Sequence, residues 1–177
     1  MVIETLLLRH DQTGGFAYRR LHTGLSQGND PDRTARRLAG LDGHQDEDGD
    51  GDGHLVHSTS WRAGHEGEII LTYLVHPDPD PARPAVALAD PHDVARGDRP
   101  GRPAPLDLTL DHVAAHAVRH LAFLARTDPT VTAFAAARPA MRRALDIIPG
   151  VPAGQFRTAA GEPLAVGVGP PAPPSLA

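Results

Sequence analysis

The stretch His54-Leu55-Val56-His57-Ser58-Thr59-Ser60-Trp61-Arg62, the connection Ala63-Gly64-His65-Glu66-Gly67 and the run Glu68-Ile69-Ile70-Leu71-Thr72-Tyr73-Leu74-Val75-His76 decide the fold. Two strand-like runs flank a five-residue, Gly-containing connection, the length and composition of a β-hairpin loop. The second run is apolar on both pleat faces, which suits an interior strand covered on at least one side by helix. In the first run, regular alternation puts Leu55, His57, Thr59 and Trp61 on one side and Val56, Ser58, Ser60 and Arg62 on the other.

Working outward, Val2–Arg9 is a short apolar stretch that stops at Asp11-Gln12-Thr13-Gly14-Gly15, and Phe16–His22 follows, which predicts another hairpin. Leu108–Arg126 carries an apolar stripe at Leu110, Val113, Ala117, Leu121 and Leu124, one face of a helix over about four turns. Asp128-Pro129 supplies an N-cap and a first-turn proline for a second helix, which Arg138-Pro139 breaks before a continuation to Ile148. Strands first and helices afterwards predict an α+β domain, a small antiparallel sheet of two hairpins packed on two C-terminal helices.

This single domain is expected over residues 1–149, with two segments lacking regular structure. One is an acidic insertion at about 26–53, which contains Asp46-Glu47-Asp48-Gly49-Asp50-Gly51-Asp52-Gly53; the other is a Pro-rich connector at about 77–105, which holds eight of the 18 prolines. The Pro-, Gly- and Ala-rich residues 150–177 read as a disordered tail.

Composition excludes several classes. With 177 residues there is room for one core, and 18 Gly plus 18 Pro make the folded part smaller than the chain. No cysteine is present, so disulfides, thiolate metal sites and a Cys nucleophile are ruled out. The longest apolar run, Ile69–Val75, falls far short of the roughly 20 residues of a membrane span, and Met1–His10 lacks the pattern of a secretory signal, so a cytoplasmic location without membrane contact is expected. All 17 basic residues are Arg, the net charge is −5, and aromatics are few, so nucleic acid is an unlikely partner; Arg138, Arg142 and Arg143 are the sole support for one.

Histidine, with 11 residues, is the one overrepresented chemical group. His112, His116 and His120 follow at i, i+4 and i+8; neighbours can share an ion, whereas the outer two lie about 12 Å apart along a helix axis. With His76 or His57 completing the set, the ridge is a candidate zinc or manganese site for metal-assisted hydrolysis, and ordinary hydrogen-bonded histidines are the simpler reading, without any cofactor. Trp61 and Arg62 beside Ser58, Thr59 and Ser60 suggest a ligand platform, although a lone Trp more often closes a core. The acidic run opens like a calcium loop, but the twelfth position from Asp46 is His57 and from Asp48 is Thr59, where a bidentate Glu is required. His57-Ser58-Thr59-Ser60 matches only one half of a paired His-x-Thr phosphoesterase pattern, and Gly-x-Ser-x-Gly, His-Glu-x-x-His and phosphate-binding glycine loops are missing.

His57–Arg62, Ile70–Tyr73 and His112–Thr130 resemble segments of a small uncharacterised protein family of GC-rich bacteria; the resemblance implies a folded domain and brings no activity with it. The expectation is a noncatalytic binding or accessory module for an unknown small molecule or protein, contacting it through His57, Thr59, Trp61 and Arg62 beside the His112, His116 and His120 ridge. A divalent-metal hydrolase and an interaction module acting through the Pro-rich segments are the alternatives.

Overall fold

The computed structural model describes residues 1–41, 53–64, 66–95 and 107–150. In chain order the elements are β1 (Val2–His10), β2 (Phe16–Gly24), α1 (Pro31–Leu38), β3 (Leu55–Ala63), β4 (Ile69–His76), β5 (Val86–Ala87), α2 (Leu110–Thr127), α3 (Pro129–Ala136) and α4 (Pro139–Asp146). The strands form one sheet in the order β3-β4-β1-β2-β5, and the class is α+β.

Both expected hairpins form. The first is closed by the Asp11 carboxylate, which accepts from the backbone N–H groups of Thr13 and Gly15 and from the Thr13 hydroxyl, while Gly14 takes φ 89°, a conformation that suits glycine. The hairpins are joined edge to edge by β1 and β4, which run parallel from Val2 opposite Ile70 to Leu7 opposite Val75. The sheet is therefore mixed rather than purely antiparallel, and β1 is its middle strand. That position accounts for the unbroken burial from Ile3 to Leu8.

Alternation along β1 divides the core. Leu6 and Leu8, with Phe16, Tyr18 and Leu74, share a cluster with Val113, Ala117, Val118 and Leu121 of α2 and Met141 and Leu145 of α4, and Val131 and Ala135 of α3 complete it. Each fully buried aliphatic side chain in this layer contributes about 1.5–3 kcal/mol. Ile3 and Leu7, with Tyr73 and Val75, face the other way, against Ala35, Ala39 and Leu41. The second layer contains α1, which falls inside the insertion expected to lack structure. Asp30 caps this helix by accepting from the Arg33 N–H at 2.8 Å, Pro31 occupies its first turn, and Tyr73 donates its hydroxyl to Asp32.

The C-terminal helices follow the expected punctuation. Asp128 ends α2 and caps α3, Pro139 opens α4, and Thr109 caps α2 together with His112. The acidic run of residues 46–52, His65 and residues 151–177 lie outside the described residues. Among those described, no helix is long and apolar enough to cross a membrane.

Candidate functional site

The expected juxtaposition of the Trp61 strand and the imidazole side of the long helix is present, in a form that alternation alone does not predict. His57 on β3 stacks on His120 of α2 with ring centroids 5.3 Å apart, His116 stacks on His120 at 6.4 Å, and His116 Nε2 lies 3.4 Å from the Thr59 carbonyl oxygen. Burial, followed by the neighbouring His57 and His116, pushes the His120 pKa down to about 4; burial also lowers that of His116. His116 and His120 are therefore held as neutral rings, and the three imidazoles lie face to face, so their nitrogens do not converge on a common point.

The other two proposed metal ligands are engaged elsewhere. His112 Nδ1 accepts from the Thr109 N–H at 3.1 Å, and its Nε2 lies 3.3 Å from Asp93. His76 sits at the far end of β4, where its Nε2 is 3.0 Å from His10 Nδ1. Among the described residues, no group of three or more His, Asp or Glu side chains is placed to hold a metal ion.

The proposed ligand platform is divided between the two faces of the sheet. A β-bulge between Ser58 and Ser60 inserts one residue into β3, so the pleat changes phase midway along the strand. Leu55 and His57 lie opposite His76 and Leu74, on the α2 side; beyond the bulge, Ser60 and Arg62 lie opposite Thr72 and Ile70 on that same side. Trp61 is turned to the α1 side opposite Leu71 and is 71% exposed, so it does not close the core. Thr59 donates its hydroxyl to the Thr72 carbonyl at 3.3 Å.

The bulge also turns Arg62 inward, onto a residue that sequence reasoning missed. Glu4 is fully buried and accepts from Arg20 Nε at 2.6 Å, from both terminal nitrogens of Arg62 at 2.7 and 2.8 Å, and from the Thr72 hydroxyl at 2.9 Å. Burial by itself would raise its pKa, but the bonds from Arg62, Thr72 and Arg20 outweigh it and hold the carboxyl below its ordinary value. On the α1 side, Asp78 is likewise clamped by two guanidiniums, Arg9 at 2.6 Å and Arg19 at 2.6 Å, and its own N–H donates to the Leu8 carbonyl. Arg9 donates further to the carbonyls of Pro81 and Arg83. The first part of the expected connector is therefore pinned to the sheet.

These two clamps meet at the outer edge of β2, where adjacent residues Arg19 and Arg20 point to opposite faces. β5 pairs only with Ala17 and Tyr18. Antiparallel pairing would next place Pro84 opposite Arg20, but Pro84 has no N–H to give to a ladder, and Arg9 draws the Arg83 carbonyl away. The chain peels off β2 and leaves an open groove of about 350 Å³, lined by Arg19, Arg20 and Leu21 on one side, Arg83 and Pro84 on the other, and Leu110 at one end. Arg20 reaches Glu4 and Arg83 reaches Asp80 through Nε alone, so the terminal nitrogens of both have no partner among the described residues. Among the described residues that line the groove, the charged ones are Arg19, Arg20 and Arg83, and Arg19 is spent on Asp78. Tyr18, which also lines it, gives its hydroxyl to Asp111, and burial followed by that carboxylate raises its pKa.

No protein-family model, curated protein or solved structure matches the chain.

Proposed function

We propose that the chain is a noncatalytic binding module that takes an anionic ligand in the groove at the outer edge of β2. The observation that carries this reading is the pair of guanidiniums, Arg20 and Arg83, that face one 350 Å³ groove with their terminal nitrogens unused. Planar guanidinium edges of this kind bind carboxylate or phosphate through two parallel hydrogen bonds. Among the described lining residues Tyr18 is the one candidate nucleophile or general base, and its raised pKa keeps it protonated, which favours binding over chemistry. The volume falls within the range of small-molecule and short-peptide sites.

The test is calorimetric titration of the protein with inorganic phosphate, with citrate and with a short poly-Glu peptide, repeated in Arg83→Gln. Arg83 makes only an exposed contact with Asp80, so the variant should melt as the parent does. Loss of one charge-assisted bond should weaken anion binding about tenfold or more. No heat from any of the three anions at millimolar concentration would overturn the reading.

A further inference from the structure

We propose that the natural occupant of the groove is an extended acidic peptide segment that adds as a strand to β2, in line with β5. The proposal rests on the binding reading above and identifies its ligand class.

The argument begins with the direction of the backbone groups. The Asp11 N–H donates to the Gly15 carbonyl at one end of the hairpin and the Leu25 N–H to the Met1 carbonyl at the other, so the odd-numbered residues of β2 spend their N–H and C=O groups on β1. The Leu88 N–H donates to the Phe16 carbonyl, so the even-numbered residues face outward. Phe16 and Tyr18 meet Leu88 and β5; Arg20, His22 and Gly24 face outward beyond its end, where no described strand pairs with them. A free strand edge over residues 19–24 is about 20 Å long at roughly 3.3 Å per residue, and one row of main-chain donors and acceptors is what an added strand uses for affinity.

Side chains along that edge state what the strand should carry. Arg20 and His22 lie on the α2 face, while Leu21, half-buried and apolar, lies on the α1 face. An added residue opposite Arg20 shares its face, where an opposite charge is favoured; its neighbour opposite Leu21 meets an apolar side chain. The fitting sequence alternates acidic and apolar residues. Arg83, on the far wall of the groove, supplies a second cation that a small anion and an acidic strand would both engage.

The probe is the peptide acetyl-Glu-Val-Glu-Val-Glu-amide, titrated into isotopically labelled full-length protein, beside a copy N-methylated on the amides that would face β2. His22→Pro removes one outward N–H and leaves the odd-numbered ladder to β1 intact. The expected result is peptide binding with amide shifts at Arg20 and His22, weakened at least tenfold both by N-methylation and by His22→Pro. Binding of phosphate or citrate without the peptide, or peptide binding indifferent to N-methylation, overturns the strand proposal and leaves the anion site standing. Failure of all probes overturns both. If His22→Pro does not melt as the parent does, the methylated peptide against the parent protein decides.

Discussion

The two margins of the sheet hold opposite solutions to burying polar groups. At the β3 margin, His57, His116 and His120 stack on one another and His116 meets the Thr59 carbonyl; from the middle of the sheet out to the β2 margin, two buried carboxylates, Glu4 and Asp78, are each gripped by two guanidiniums, and donors are left over at the β2 edge. Rings stacked on one another point at no ligand. A guanidinium excess, by contrast, keeps unused hydrogen-bonding capacity at the surface, and that capacity is what a binding site requires. Histidine, the chemical group the sequence brings forward, is therefore not the one the geometry leaves available.

The sharpest way to break this comparison is to remove a carboxylate from the charged margin. Glu4→Ala leaves Arg20 and Arg62 facing each other beside a void on the buried face of the sheet, a loss of about 3 kcal/mol by the usual cost of stranding one half of a buried ion pair. Thermal unfolding should fall by about 10 °C. A melt that moves by only a degree or two would mean that the clamp is incidental to the fold.

Acid should act on the neutral imidazoles instead. Burial first, and then His10, Arg138 and His54, push the His76 pKa down to about 3, against an ordinary value near 6.5. Its Nδ1 is buried with no partner among the described residues, so the ring is held in its neutral form. Because the folded pKa is the lower one, the unfolded chain takes up the proton first. Stability is complete above about pH 6.5 and declines as pH falls toward the folded values of His120 and His76. From pH 7 to pH 5, His76 alone should cost about 2 kcal/mol. Denaturant titrations at the two pH values should show that loss, and His76→Leu should remove most of it. An unchanged slope in the variant would assign the acid sensitivity to other groups.

How much of this was legible in the sequence depends on the range of each interaction. Caps and turns are local, so Asp128-Pro129, Arg138-Pro139 and the Asp11–Gly15 turn read directly. By the same logic Asp30-Pro31 announces α1, and its signal was outweighed by a helix whose apolar residues are only Ala35 and Leu38 amid charge. The Glu4 clamp depends on register across strands, with partners 16 and 58 positions away, and no periodicity within one strand encodes that. Nor does alternation foresee a bulge, which moved Trp61 to one face and Arg62 to the other.

That bulge makes the smallest prediction the most discriminating between the margins. Trp61 is the only tryptophan, is 71% exposed, and lies on β3, three strand spacings or about 14 Å from β2. Its indole contributes little to the core, so Trp61→Ser should change stability by no more than about 0.5 kcal/mol. Its fluorescence is also a reporter of the β3 margin alone. A ligand seated between Arg20 and Arg83 should leave the emission maximum and intensity unchanged, while it shifts the amides of Arg20 and His22. A large change in tryptophan emission on binding would place the ligand against the β3 strand and return the site to His57 and its neighbours.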